Sequence, residues 1–143
     1  MNGRQSLVAY WALRIALGAV PIVAGLDKFA NLLANWPGYV SPLAARLLPV
    51  RPEAFMRVAG IVEIVVGAAI LLGFARIFAW VAMAWLALIA LELLTTGRFF
   101  DVAARDAVLA TAAFALARLA EVAERAPARE RELLAGKPAG ARA

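Results

Sequence analysis

The 143-residue sequence contains no cysteine and no histidine. Together these absences exclude disulfides, zinc sites, iron–sulfur clusters, thiol exchange and histidine-ligated haem. Three methionines, one of them Met1, are the remaining soft side chains. Electron chemistry at this chain therefore needs an organic molecule bound from elsewhere, and no metal site is expected. Charge is scarce as well: 17% of the residues are charged, 64% are hydrophobic, and the mean hydropathy is +0.80. The 15 basic and 10 acidic residues cannot coat a core this apolar, so the bilayer is the expected solvent. The net charge of +5 is spread over membrane flanks and a tail, with no basic stripe interleaved with aromatics, and no nucleic-acid partner is expected.

Four apolar runs are long enough to cross a membrane at roughly 20 residues each. They extend over Leu7–Leu26, Phe55–Phe74, Ile77–Leu94 and Val102–Leu119. The first resembles a signal peptide, but Arg14 lies inside it and Asp27, Lys28 and Phe29 follow where a small-residue cleavage site belongs, so it reads as a retained helix. The connection from Phe29 to Ala54 is broken by Pro37, Gly38, Pro42, Pro49 and Pro52. Within it, Ser41 and Pro42 suit a helix start, and Leu43, Leu47 and Leu48 then face one way, predicting a short interfacial amphipathic helix. Trp36 and Tyr39 suit a headgroup belt. Trp11, Trp80 and Trp85 read as lipid anchors or packing ahead of a quinone platform. The expected architecture is an all-α four-helix transmembrane bundle over residues 1–122, followed by a polar, disordered tail over 123–143. Lys and Arg number eight on the side of both termini and six on the other, which predicts cytoplasmic termini in a multi-pass bacterial inner-membrane protein.

Charges at bilayer depth need partners or a reason. Arg14 lies near the middle of the first run and Glu63 near the middle of the second. With antiparallel helices their depths differ by roughly 6 Å at 1.5 Å rise per residue, which an arginine spans, so the two are expected to pair. Gly18 and Gly25 share the Arg14 stripe, and Gly60 and Gly67 share that of Glu63; these glycines are expected to let the helices pack closely. Asp106, Ala110, Ala113 and Ala117 make a third small-residue face. Asp27, Lys28, Glu92, Asp101, Arg105 and Asp106 gather toward one leaflet and complete the expected intramembrane network. Arg14, Lys28 and Arg105 then face Asp27, Glu63, Glu92, Asp101 and Asp106, a shortfall of two cations. Arg57 or Arg98, a protonated carboxyl or a ligand would make it good.

The order of these residues carries a resemblance. Leu13-Arg14-Ile15-Ala16-Leu17-Gly18 leading to Gly25-Leu26-Asp27-Lys28-Phe29, then Gly60-Ile61-Val62-Glu63 with Gly67, then Asp101 and Arg105-Asp106, resembles the DoxX-like family of small bacterial integral membrane proteins. The resemblance covers about Leu13 to Leu119. It implies a four-helix membrane bundle whose relatives are the membrane subunit of thiosulfate:quinone oxidoreductase or partners in redox and oxidative-stress assemblies. Roles in disulfide chemistry known among relatives do not transfer to a chain without cysteine.

Three functions are weighed. The first is a non-catalytic subunit, not an enzyme on its own, that packs in or supports a redox or energy-converting membrane complex. It would hold no cofactor of its own beyond a bound quinone or lipid, and its partners would be membrane lipids and other membrane subunits or a soluble redox protein. The second is a quinone-reactive subunit of a thiosulfate:quinone oxidoreductase-like enzyme, in which Glu63, Arg14 or the set Glu92, Arg105 and Asp106 takes up protons. The third is a small proton-coupled transporter, less favoured because no pair of broken helices is evident.

Overall fold

A computed structural model describes residues 3–125, and all regular structure in them is helical. Helix α1 spans Gly3–Ala30, a single tight turn Trp36–Tyr39 and the short α2 (Pro42–Leu47) follow, and α3 (Pro52–Ala69), α4 (Ala75–Thr95) and α5 (Phe100–Arg125) complete the chain. Helices α1, α4 and α5 outrun their apolar stretches at both ends, because the polar residues that flank a span can continue the helix at no cost in the interface, whereas α3 starts three residues early and stops at Ala69, short of Phe74. Helix α5 runs three residues past the boundary expected at 122; the rest of the expected tail, from 126 onward, lies outside the described residues.

Local chemistry sets the breaks. Pro52 begins α3 where its missing N–H is harmless, with Glu53 in the first turn. Asn31, at φ 52°, turns the chain out of α1, its N–H bonded to the Asp27 carbonyl at 2.6 Å. Ser41 caps α2 by accepting from the Ala44 N–H at 3.0 Å. The long apolar stretch Pro52–Thr95 is divided at Gly73, whose φ of 120° is open only to a residue without a β-carbon. After one widened turn, Ile70–Phe74, the chain reverses into α4.

The long helices pack as two tight pairs, α1 with α3 and α4 with α5, with a smaller contact between α1 and α5. Consecutive α3 and α4 touch little. In the α1–α3 seam, a β-carbon on Gly67 would fall 2.4 Å from the Gly18 carbonyl oxygen, and one on Gly25 would fall 2.5 Å from that of Gly60. The backbones meet directly there, which only glycine permits. Alanine plays that part between α4 and α5: Ala75, Ala79 and Ala82 face the same core as Ala113, Ala117 and Ala120. The core fills the half of the bundle nearest Gly73, hereafter the turn end, where Ile70 and Leu116 are fully enclosed.

The outside is apolar. Ile15, Val23, Val58, Val65, Ile77 and Val108 are all exposed. Gln5–Ala30 and Pro52–Thr95 are long and apolar enough to cross a membrane, and only 17% of the most apolar window of the first is buried. Core helices of soluble proteins bury such windows, whereas these face outward, as helices solvated by lipid do.

Candidate functional site

At the end opposite Gly73, where residues 31–50 lie over the bundle, the two helix pairs part and enclose a cavity of about 720 Å³. Its walls come from α1, α3, α4, α5 and the overlying loop with α2, and are mostly aliphatic, as at Leu17, Met56, Ala59, Val66, Leu86 and Leu109. The ionisable side chains on the wall are Lys28, Glu63, Glu92, Arg105 and Asp106, accompanied by the rings of Trp36, Tyr39 and Trp85.

The centre of this group is an ion pair. Lys28 Nζ donates to Glu63 Oε2 at 2.6 Å, with 5% and 10% of the two side chains exposed. The ammonium also lies 3.7 Å from the centroid of the Trp36 ring, a cation–π contact. Asp27 fixes that ring: its carboxylate accepts from Trp36 Nε1 at 2.6 Å and from the Leu32 and Leu33 N–H groups near 3 Å. Asp106 of α5, on the same cavity wall, stands within electrostatic range of Glu63. Trp85 of α4 also flanks Glu63, but its Nε1 is buried without a hydrogen bond of ordinary geometry. Asp106 is buried, and its partner is the neighbouring Arg105, Nε to Oδ1 at 3.0 Å. Glu92 accepts from the Ser41 N–H at 2.7 Å and thereby ties the start of α2 to α4.

The expected Arg14–Glu63 pair does not form. Arg14 donates from Nε to the Ile70 carbonyl and from Nη2 to that of Leu71, both at 2.9 Å, and from Nη1 to the Tyr10 hydroxyl at 3.2 Å. Its guanidinium lies 4.9 Å from the Trp11 ring centroid. Two physical facts decide this. Gly18 sits against Gly67 and Gly25 against Gly60, a register that carries residue 14 to residue 71, about 12 Å along the axis from Glu63 at 1.5 Å per residue. Side chains also lean toward the N-terminus of their own helix. Arg14 therefore leans away from Glu63 and reaches the unpaired carbonyls where α3 ends, while Lys28 and Glu63, on antiparallel helices, lean toward each other.

The remaining members of the expected network are divided. Asp27, Lys28, Glu63, Glu92, Arg105 and Asp106 gather about the cavity, with Asp27 one residue behind its wall. Asp101 is exposed in the first turn of α5 and outside the group. Arg57 and Arg98 are exposed, and neither completes it. Sequence reasoning passed over the cavity-facing parts of Trp36 and Trp85. The i and i+7 spacing of Trp85 and Glu92, which puts both on one face of α4, was the available signal for the second. At the turn end the charges close on one another: Arg76 pairs with Glu124, Arg118 Nη1 with Glu121 Oε2 at 2.6 Å, and Trp80 Nε1 donates to Glu121 Oε1 at 3.2 Å.

The family model described as DoxX matches residues 9–97. The chain belongs to the DoxX family. The match takes in the Lys28–Glu63 pair, Trp36, Trp85 and Glu92 of this DoxX protein, and it ends before Asp101, Arg105 and Asp106, to which the sequence resemblance had been extended. No curated protein and no solved structure matches the chain. With the outward-facing apolar helices, family membership makes this a membrane protein.

Proposed function

We propose that this DoxX protein is a membrane-embedded subunit that binds a quinone-class molecule for a redox assembly, crossing the bacterial inner membrane four times with both termini in the cytoplasm. The observation that carries the reading is the cavity: apolar on most of its wall, polar where Lys28, Glu63, Trp85 and Asp106 converge. Its volume is within the roughly 300–1,000 Å³ of small-molecule sites. The donors present fit a molecule with oxygen acceptors on an apolar frame. Lys28 keeps N–H groups beyond the one given to Glu63, and the Trp85 Nε1 beside Glu63 makes no hydrogen bond of ordinary geometry.

A quinone, when bound, takes up electrons together with protons. This chain's residues would orient the oxygen-bearing head and hold exchangeable protons. Lys28 and Trp85 donate, Glu63 and Asp106 are the carboxyls placed to carry a proton, and the aliphatic wall excludes water. With no cysteine or histidine in the sequence to hold an iron–sulfur cluster or a histidine-ligated haem, the electrons would come from a partner protein.

The expectation of a subunit that only packs against a larger complex draws less support from the packing. The glycine stripes of α1 and α3 are consumed in their own seam, and Ala110, Ala113 and Ala117 are buried within the chain, so none of these faces is left for a neighbour. A proton-coupled carrier needs a path to both sides, and the turn end is filled by Ile70, Leu116 and the alanine core.

The test is binding. The full chain in mild detergent should bind decylubiquinone saturably, with quenching of tryptophan fluorescence, since Trp36 and Trp85 line the cavity. Ala59→Phe, which fills the wall, should weaken that binding at least tenfold while helicity is retained. Quenching that only tracks partition into detergent, equal in both proteins, would overturn the reading.

A further inference from the structure

We infer that the site opens sideways into the lipid between α2 and α4, and that its ligand is a tailed amphiphile whose chain leaves through this gap. The inference rests on the quinone-class reading and adds the tail and its route. Residues that both line a cavity and are exposed mark where it reaches the surface. Leu43, Leu47 and Leu48, at and just beyond α2, and Leu88 and Leu91 of α4 do both, and α2 and α4 are in contact. All five are leucine, and Leu47 is 70% exposed. In water such a rim would be an open apolar wound. Against acyl chains it is a continuous apolar surface running from the lipid to the Lys28–Glu63 pair.

Three other lining residues are exposed: Val20, on the apolar outer face of α1, and Thr95 and Arg105 near the loop end of α4 and α5. Thr95 and Arg105 mark a separate, polar opening, suited to protons and water. Head and tail thus have different exits. Glu92 stands between them: by holding the Ser41 N–H it fixes the start of α2, and with it the leucine rim, on α4.

The experiment uses the full chain in liposomes and a benzoquinone bearing a ten-carbon tail with a terminal diazirine. After illumination, label that decylubiquinone competes away should map by mass spectrometry to residues 43–48 and 88–91. Competable label confined to 31–36 or 102–109 would overturn the lateral exit while leaving the quinone reading standing. No competable label anywhere would overturn both. A second arm compares tails. Leu47→Lys should weaken binding of the ten-carbon quinone about tenfold, the loss expected when a few methylene groups lose apolar cover. Binding of the tail-less dimethoxy-methyl-benzoquinone should be unchanged, and equal losses for the two probes would overturn the inference.

Discussion

The two ends of this bundle treat the same problem, charge inside an apolar body, in opposite ways. At the turn end, Arg14 gives its donors to the Ile70 and Leu71 carbonyls and the Tyr10 hydroxyl, and the basic residues of α4 and α5 close on Glu121 and Glu124. Beside them Ile70, Leu116 and the alanines of α4 and α5 are packed into the core. At the loop end the wall carries Glu63, Glu92 and Asp106 against Lys28 and Arg105, so carboxylates outnumber cations, and the surrounding space is open. Saturated charge serves architecture. Charge left in excess beside a cavity serves a ligand or a proton.

Substitutions can break this contrast. The largest effect is expected from Lys28→Met, which strands Glu63 in an apolar wall and should cost about 3–5 kcal/mol of stability, read as a lowered unfolding temperature in detergent. Adding Glu63→Leu should recover most of that loss. A double variant no more stable than the single one would show that the pair is not the buried unit described. Next comes Gly67→Leu, whose side chain has no room beside the Gly18 carbonyl; overpacking of this kind costs about 3 kcal/mol and should lower the yield of folded protein. Gly60→Leu, facing Gly25 near the other end, should do the same, because the glycine seam runs through both regions.

Arg14→Leu sharpens the comparison. Loss of its carbonyl and hydroxyl bonds should destabilise the turn end by about 1–3 kcal/mol, while decylubiquinone binding stays at the wild-type value. A tenfold loss of binding in this variant would mean the two ends are not separate. Glu92→Ala should cost only about 1 kcal/mol, the worth of one hydrogen bond, and should show as faster hydrogen exchange confined to residues 39–48. The smallest effect belongs to Asp101→Asn, exposed and outside the cluster, whose unfolding temperature should be unchanged because such surface changes stay within about 0.5 kcal/mol.

How far the site was legible follows from which interactions are local. The cap at Ser41, the turn out of α1 and the start of α3 at Pro52 each depend on a few neighbouring residues. The gathering of Lys28, Glu63 and Asp106 joins three helices. The sequence marked these residues as unusual at bilayer depth, but Arg14 is as unusual as they are, and hydropathy cannot say which carboxylate a cation will meet. Knowing the lean of helical side chains would have paired Lys28 with Glu63 and released Arg14. The cavity leaves no trace in periodicity, since a residue facing empty space and one facing a tight seam occupy equivalent helical positions.

What the sequence determined alone is the solvent and the building blocks: a chain this apolar, without cysteine or histidine, makes lipid-facing helices and supplies neither a thiolate nor an imidazole. Glycine and small-residue spacing also marked the faces that meet. Only the tertiary structure decided the register of α1 on α3, the partners of each buried charge and the parting of the helix pairs at the loop end. The physical reason is one of range. Hydropathy and capping act over a turn or two of one helix, whereas register, ion pairing and empty volume exist only once separate helices share a common depth.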